Sequence, residues 1–319
     1  MSEFDSYYSA RIPGGHVILD GPIQRLDIPD NSTPEKQVVK PELLSSIKAI
    51  EPGSFALLKG SFMEQDLDYG TSALFNVVEG LERTRQESAH EVEFGQLILT
   101  GFHGEEHPQL AALKPFDTPK EAAHELAVAR YFMKEGRHHN FHTFEPLGVV
   151  RLEDGKFGVL SKYEHSVKSL DTVFWNPEHD QNVPVLRRAL GRCATVLAST
   201  HAAGWTIGDA QVKNFFTSPI DEIFIADLES VKPFTQKNGV INEQATSGAI
   251  DSDMHTLFGS LDSRREEKRD HQAAIMDIFS LIYTSITHAP QSQVPATARR
   301  TTRDIVDIYQ DATYQHRDQ

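Results

Sequence analysis

One segment of this chain, Thr118 to Gly136, carries helix signals at both ends and sits among short apolar runs of strand length. Thr118 suits the cap, Pro119 the first turn, Glu121 completes a capping box, and Gly136 is the stop signal. Leu126, Ala129 and Phe132 fall on one face. Ahead of it lie the runs SFALLKGSF, SALFNVVEG, FGQLILTGF and PQLAALKPF, each ending near Gly or Pro. Behind it lie PLGVVRLED and KFGVLSKYE, joined by an Asp154-Gly155 turn. A single long helix set into a sheet is the pattern this dictates for residues 54–164.

The flanking regions read differently. Residues 1–40 are rich in Gly, Pro, Asp and Ser and read as an extended arm with one hairpin. Leu43, Leu44, Ile47 and Ile50 predict a helix over 41–50, with Pro41 in its first turn. Beyond residue 165 helical signals dominate, at 186–203, 251–261, 266–288 and 301–314, with two short strands in NFFTS and EIFIADLE. Strands first and helices second make an α+β chain in two lobes, with a linker near 162–169. The resulting division is an N-terminal extension at 1–53, a β-rich lobe at 54–164 and a mostly helical lobe at 165–319.

Charge and cysteine content narrow the function. The 31 basic and 46 acidic residues give a net charge of −15, which argues against a nucleic-acid partner. Cys193 is the single cysteine, so neither an intrachain disulfide nor a cysteine zinc cluster can form, which fits a reducing compartment. The first residues lack a basic stretch leading into an apolar run, and no 18 apolar residues run together. The expectation is a cytoplasmic protein with no membrane span.

The richest segment is 201–230. A predicted helix ends at His201-Ala-Ala-Gly204, and Gly208-Asp209 precedes Asn214 in an Asp-x-x-x-x-Asn spacing. Asp227 then closes the apolar run Ile223-Phe-Ile-Ala226. One carboxylate and a nearby amide–carboxylate pair are the residue types phosphoryl transfer uses: a group near the attacking hydroxyl and hard oxygen ligands for Mg²⁺.

In this arrangement the segment resembles the catalytic loop and metal-binding Asp of the protein-kinase-like superfamily. Ala112-Leu-Lys114 resembles its strand lysine, Glu125-Leu-x-x-Ala129-x-x-Phe132 its ion-pair helix, and Asp253-x-x-x-Leu257-x-Gly259 the start of its buried C-terminal helix. The likeness covers roughly residues 54–290. It implies a two-lobed protein-kinase-like fold that binds ATP and Mg²⁺. Asp209 is then the catalytic residue, Asn214 and Asp227 are metal ligands, and Lys114, positioned by Glu125, meets the phosphates. Gly70 and Ser72 are the best candidates for a phosphate-cradling loop, for which an ordinary turn is the rival reading. Ile207-Gly208-Asp209 in place of His-Arg-Asp, and Asp227-Leu-Glu229 in place of Asp-Phe-Gly, are similar to the aminoglycoside and choline phosphotransferase branch. The expected partners are ATP and a hydroxyl-bearing acceptor, either a small molecule or a protein. The alternative is a pseudokinase that binds nucleotide without turnover.

Several residues have plainer readings. Lys59 rivals Lys114, and Glu121 rivals Glu125 but fits the capping box better. His138, His139 and His142 read as a solvated loop after the helix, since neighbouring histidines rarely point at one ion. His201 reads as a structural hydrogen-bonding residue, and Lys213 as either a phosphate contact or a solvated lysine.

Overall fold

The computed structural model describes residues 16–19, 23–28, 39–61, 72–77, 92–101, 103–139, 142–163, 166–175, 193, 196–198, 200–201, 204–218, 222–234, 236–237, 240–241 and 243–262. The chain divides into two compact units. One comprises residues 1–30, 39–126 and 145–165, and the other 31–38, 127–144 and 166–319.

The first unit is built on eight strands: β1 (His16–Leu19), β2 (Gln24–Leu26), β3 (Phe55–Leu58), β4 (Ser72–Val77), β5 (Glu93–Thr100), β6 (Glu106–Phe116), β8 (Pro146–Arg151) and β9 (Phe157–Lys162). They form one sheet in the order β1-β4-β5-β6-β9-β8-β3-β2, antiparallel except for the β2–β3 pair. Burial alternates along β4 and β5, where Ala73, Phe75, Leu97 and Leu99 point inward, as a period of two requires. A flat sheet of eight strands would hold its edges roughly 33 Å apart. Only residues 20–23 join β1 to β2, a reach of at most about 18 Å. The sheet therefore curls, and its core gathers Leu19, Phe55, Phe75, Leu97, Leu113 and Leu160 from across it.

Helix α1 (Pro41–Lys48) buries Leu43 and Ile47, as its spacing predicts. Helix α2 (Pro119–His139) has the predicted start: Thr118 N–H and Oγ1 donate to Glu121 Oε2 at 3.0 and 2.9 Å, and Glu121 N–H returns to Thr118 Oγ1 at 3.3 Å. Its end differs from expectation. Gly136 lies inside it, so 137–139 are helix and not loop. The Asp154-Gly155 turn forms as predicted. Gly155 adopts φ 89°, its N–H donates to Leu152 O at 3.0 Å, and Asp154 Oδ1 accepts from Lys156 N–H at 3.0 Å.

In the second unit, β7 (His142–Thr143), β10 (Lys168–Ser169), β12 (Phe215–Thr217) and β13 (Ile223–Ile225) make a four-stranded sheet in the order β10-β12-β13-β7. Helix α3 (Leu170–Trp175) follows β10. Two small ladders pair β11 (Trp205–Thr206) with β14 (Lys232–Pro233), and β15 (Gln236–Lys237) with β16 (Val240–Ile241). Helix α4 (Glu243–Asp262) starts earlier than the sequence signals suggest. Trp205 is fully buried against Tyr131 and Phe132 of α2, with ring centroids 4.9 and 6.0 Å away.

These findings correct the expected fold class, an α+β two-lobed protein-kinase-like fold with a mostly helical second half. The described residues are sheet-rich, strand residues outnumbering helical ones. Two causes are visible. The supposed N-terminal arm supplies β1 and β2, which bury Leu19 and Leu26 at opposite edges of the main sheet and do not pair as a hairpin. Past residue 142, short β-branched and aromatic triplets such as Phe215-Phe-Thr217 and Ile223-Phe-Ile225 form paired strands between the helical stretches. The helical signals at 266–288 and 301–314 lie outside the described residues.

Candidate functional site

In the first unit, β6 carries Lys114 opposite Val159 of β9, and the first turns of α2 carry Glu125. Lys114 Nζ lies 3.5 Å from Glu125 Oε2, with the two side chains only 13% and 11% exposed. The ammonium also sits 5.0 Å over the Phe116 ring, an orientation that favours the cation. Thr118 engages Glu121, which leaves Glu125 as the carboxylate on this helix facing the lysine. The rival Lys59 is solvated: it lies 3.5 Å from Asp27, with side-chain exposures of 62% and 72%. Ser72 opens β4 in register with Thr100 of β5, a ladder position. Gly70 lies outside the described residues.

The second unit holds the other candidates on one loop and one hairpin. Residues 196–201 are helical where described, and Gly204 N–H donates to His201 O at 3.0 Å as the chain turns out of the helix. The backbone then runs through β11 over Asp253 of α4. Asp253 is fully buried and takes four contacts. Ile207 N–H donates to Oδ2 at 2.7 Å, Gly208 N–H to Oδ1 at 2.6 Å and Thr206 Oγ1 to Oδ2 at 2.8 Å, while His201 Nε2 faces Oδ2 at 2.9 Å. A buried carboxylate is tolerated when its lone pairs are used, and here it fixes the backbone just before Asp209. His201 is thus a structural hydrogen-bonding residue.

Gly208 has a specific reason to be glycine. Its φ is +79°, and a Cβ there would stand 2.4 Å from Ser230 O and 2.9 Å from Ser230 Cβ. The loop passes too close to the turn after Asp227 for any larger residue. That accounts physically for the Ile-Gly-Asp sequence.

Asp209 is half-buried, and the loop's own amides hold its carboxylate. Gln211 Nε2 donates to Oδ1 at 2.8 Å, and Asn214 Nδ2 donates to Oδ2 at 3.1 Å and to the Asp209 carbonyl at 2.9 Å. A one-turn 3₁₀ helix, Val212–Asn214, makes this possible by folding Asn214 back. The two bonds from Nδ2 fix the amide and turn its oxygen away from Asp209. The β12–β13 hairpin then sets Asn214 beside Ala226, whose N–H donates to Asn214 O at 2.9 Å. Asp227 follows directly.

Asp227 has φ 59° and ψ 65° and is the single non-glycine with positive φ among the described residues. A left-handed aspartate costs on the order of 1–2 kcal/mol, and such strain collects where a side chain must be aimed. Lys213 is half-buried on the 3₁₀ turn, and its carbonyl accepts from Ser169 Oγ at 3.1 Å.

Among the described residues no three His, Cys, Asp or Glu side chains converge on a metal position. A carboxylate with an amide oxygen is nonetheless a donor set that suits Mg²⁺, which takes few protein ligands and keeps its waters. Sequence reasoning singled out Asp209, Asn214, Asp227, Lys114 and Glu125, and it missed Gln211 and the bonding of Asp253. A usable signal for Asp253 was its place on the face of α4 that carries the buried Ile250, Met254 and Leu257. A charged residue among core positions asks for partners. Cys193 is buried, and desolvation pushes its thiol well above the ordinary range, which marks it as inert packing.

Among the described residues no helix is long and apolar enough to cross a membrane. The chain matches no model of a known protein family, and no curated protein is similar to it in sequence.

Proposed function

We propose that this chain is an ATP- and Mg²⁺-dependent phosphotransferase that moves the γ-phosphate of ATP to a hydroxyl acceptor. The arrangement of Asp209, Asn214 and Asp227 carries the reading. The Asn214 side-chain amide braces the Asp209 carboxylate, and the Asn214 main chain pairs with Ala226, the residue before an aspartate in a left-handed conformation. In this reading Asp209 orients the acceptor hydroxyl and takes its proton as the new O–P bond forms, while the bond from the γ-phosphorus to the bridging oxygen breaks and ADP leaves with that electron pair. Asn214 and Asp227 are the residues that would hold Mg²⁺, which supplies charge neutralisation on the phosphates. Lys114, held by Glu125 at 3.5 Å, is in this reading the residue that binds phosphate oxygens.

A cytoplasmic setting suits a chain whose one thiol is buried. The acceptor is either a small hydroxyl compound or a protein. Incubating the purified protein with γ-labelled ATP, Mg²⁺ and a cell extract, then separating macromolecules from metabolites, identifies which. The expected result is Mg²⁺-dependent label in one fraction, and label in neither counts against the proposal.

A second reading, nucleotide binding without turnover, is favoured by one observation: each oxygen of Asp209 already accepts an amide from its own loop. Under that reading Mg-ATP raises the melting temperature and no ATP is consumed.

A further inference from the structure

We infer that Gln211 is a positioning residue that sets the orientation of the Asp209 carboxylate, an inference that rests on the phosphotransferase reading above. A carboxylate with one fixed oxygen can still swing about its χ2 axis, whose torsion is broad. Asn214 pins Oδ2, and Gln211 Nε2, at 2.8 Å, pins Oδ1. With both oxygens held, the plane of the carboxylate is defined.

The chemistry leaves one sense for the contact. An ionised carboxylate accepts only, so the amide nitrogen of Gln211 faces it and not the amide oxygen. Each carboxylate oxygen has two lone pairs, and one amide donor on each leaves a second for an incoming hydroxyl. Gln211 is itself anchored, because its backbone N–H donates to Asp209 O at 2.9 Å and its carbonyl accepts from Asn214 N–H at 2.9 Å. Backbone and side chain of one residue thus bracket Asp209 from within the same turn. Misplacement of a reacting group by about 1 Å can cost on the order of 10²-fold in rate. Loss of one of two restraints is expected to cost less, roughly 10-fold.

The test compares Gln211→Met, which keeps length and loses the donor, with Gln211→Lys, whose ammonium restores a donor of similar reach. Mg-ATP hydrolysis is the assay, with water standing in for the acceptor. The expected result is a kcat about 10-fold lower for Gln211→Met and within about threefold of the parent for Gln211→Lys. The KM for ATP and the thermal shift with Mg-ATP stay unchanged in both. Parental kcat in Gln211→Met, or equal losses in both variants with weakened nucleotide binding, overturns the positioning role. If the parent neither hydrolyses ATP nor labels any fraction of the cell extract, the phosphotransferase reading fails, and the contact is then read separately by NMR. The Gln211 side-chain amide signal, assigned by its loss in Gln211→Met, must move in Asp209→Ala, and a stationary signal overturns the inference.

Discussion

Replacing Asp253 by alanine removes the acceptor on which the backbone before Asp209 rests. The variant leaves two buried donors, the Ile207 main-chain amide and the His201 ring, without their acceptor, together with the Thr206 hydroxyl and the exposed Gly208 amide. Each orphaned buried donor costs about 1–3 kcal/mol, so the Ile207 amide and the His201 ring together imply a loss of about 4 kcal/mol. That is a large share of the ~5–15 kcal/mol that holds a typical domain together. In urea, with a slope of roughly 2–3 kcal/mol/M, the midpoint falls by about 1.5 M. Trp205, buried two residues before Ile207, reports the transition by fluorescence. Asp253→Asn keeps one acceptor oxygen and is expected to cost about half as much. His201→Ala removes one donor and leaves the carboxylate three others, for a loss of roughly 1–2 kcal/mol. A loss below about 1 kcal/mol for Asp253→Ala, or a greater loss for His201→Ala than for Asp253→Ala, refutes the reasoning.

Three further outcomes follow from the same geometry. Gly208→Ala meets both a left-handed φ and Ser230 O at 2.4 Å, so it lowers stability by about 2 kcal/mol or more; an unchanged melting temperature contradicts the close approach. Lys114→Met strands the buried Glu125 and costs about 3–5 kcal/mol, whereas Lys59→Met at its exposed pair costs less than about 1 kcal/mol; urea midpoints that rank the other way count against a buried pair. Burial raises the Cys193 thiol above its ordinary 9.0, so its contribution to stability is complete below that pH and erodes as pH rises beyond it, when the unfolded thiol ionises and the folded one does not. Cys193→Ala should flatten that alkaline decline, and an identical decline in the variant rules the thiol out as its source.

How much of this was legible in the sequence depends on how local each signal is. The α2 start could be read because a capping box is a contact between residues three apart, and Thr118 and Glu121 form it. The same box settled Glu125 as the partner of Lys114, because it removed Glu121 from competition. The hairpin turn at Gly155 was equally local. The sheet was not. Nothing in His16–Leu19 or Gln24–Leu26 says that they close opposite edges of a sheet whose other strands run from residue 55 to 162, since strand order is decided by long-range burial. The expected helical character of the second half failed for a related reason: triplets such as Ile223-Phe-Ile225 are too short for periodicity to weigh, and pairing decides them. At the candidate site Asp209, Asn214 and Asp227 were visible as candidates, while what restrains them was not. Gln211 has no sequence signature. It matters because a 3₁₀ turn folds its neighbour Asn214 onto the same aspartate.

The central claim is that Asp209 serves phosphoryl transfer from Mg-ATP, and Asp209→Ala tests it most directly. In a label-transfer assay the parent is expected to move the γ-phosphate only when Mg²⁺ is present. Asp209→Ala should lower turnover by at least ~10²-fold, the usual scale for losing a general base, while keeping the thermal shift with Mg-ATP. Full activity in Asp209→Ala contradicts the account.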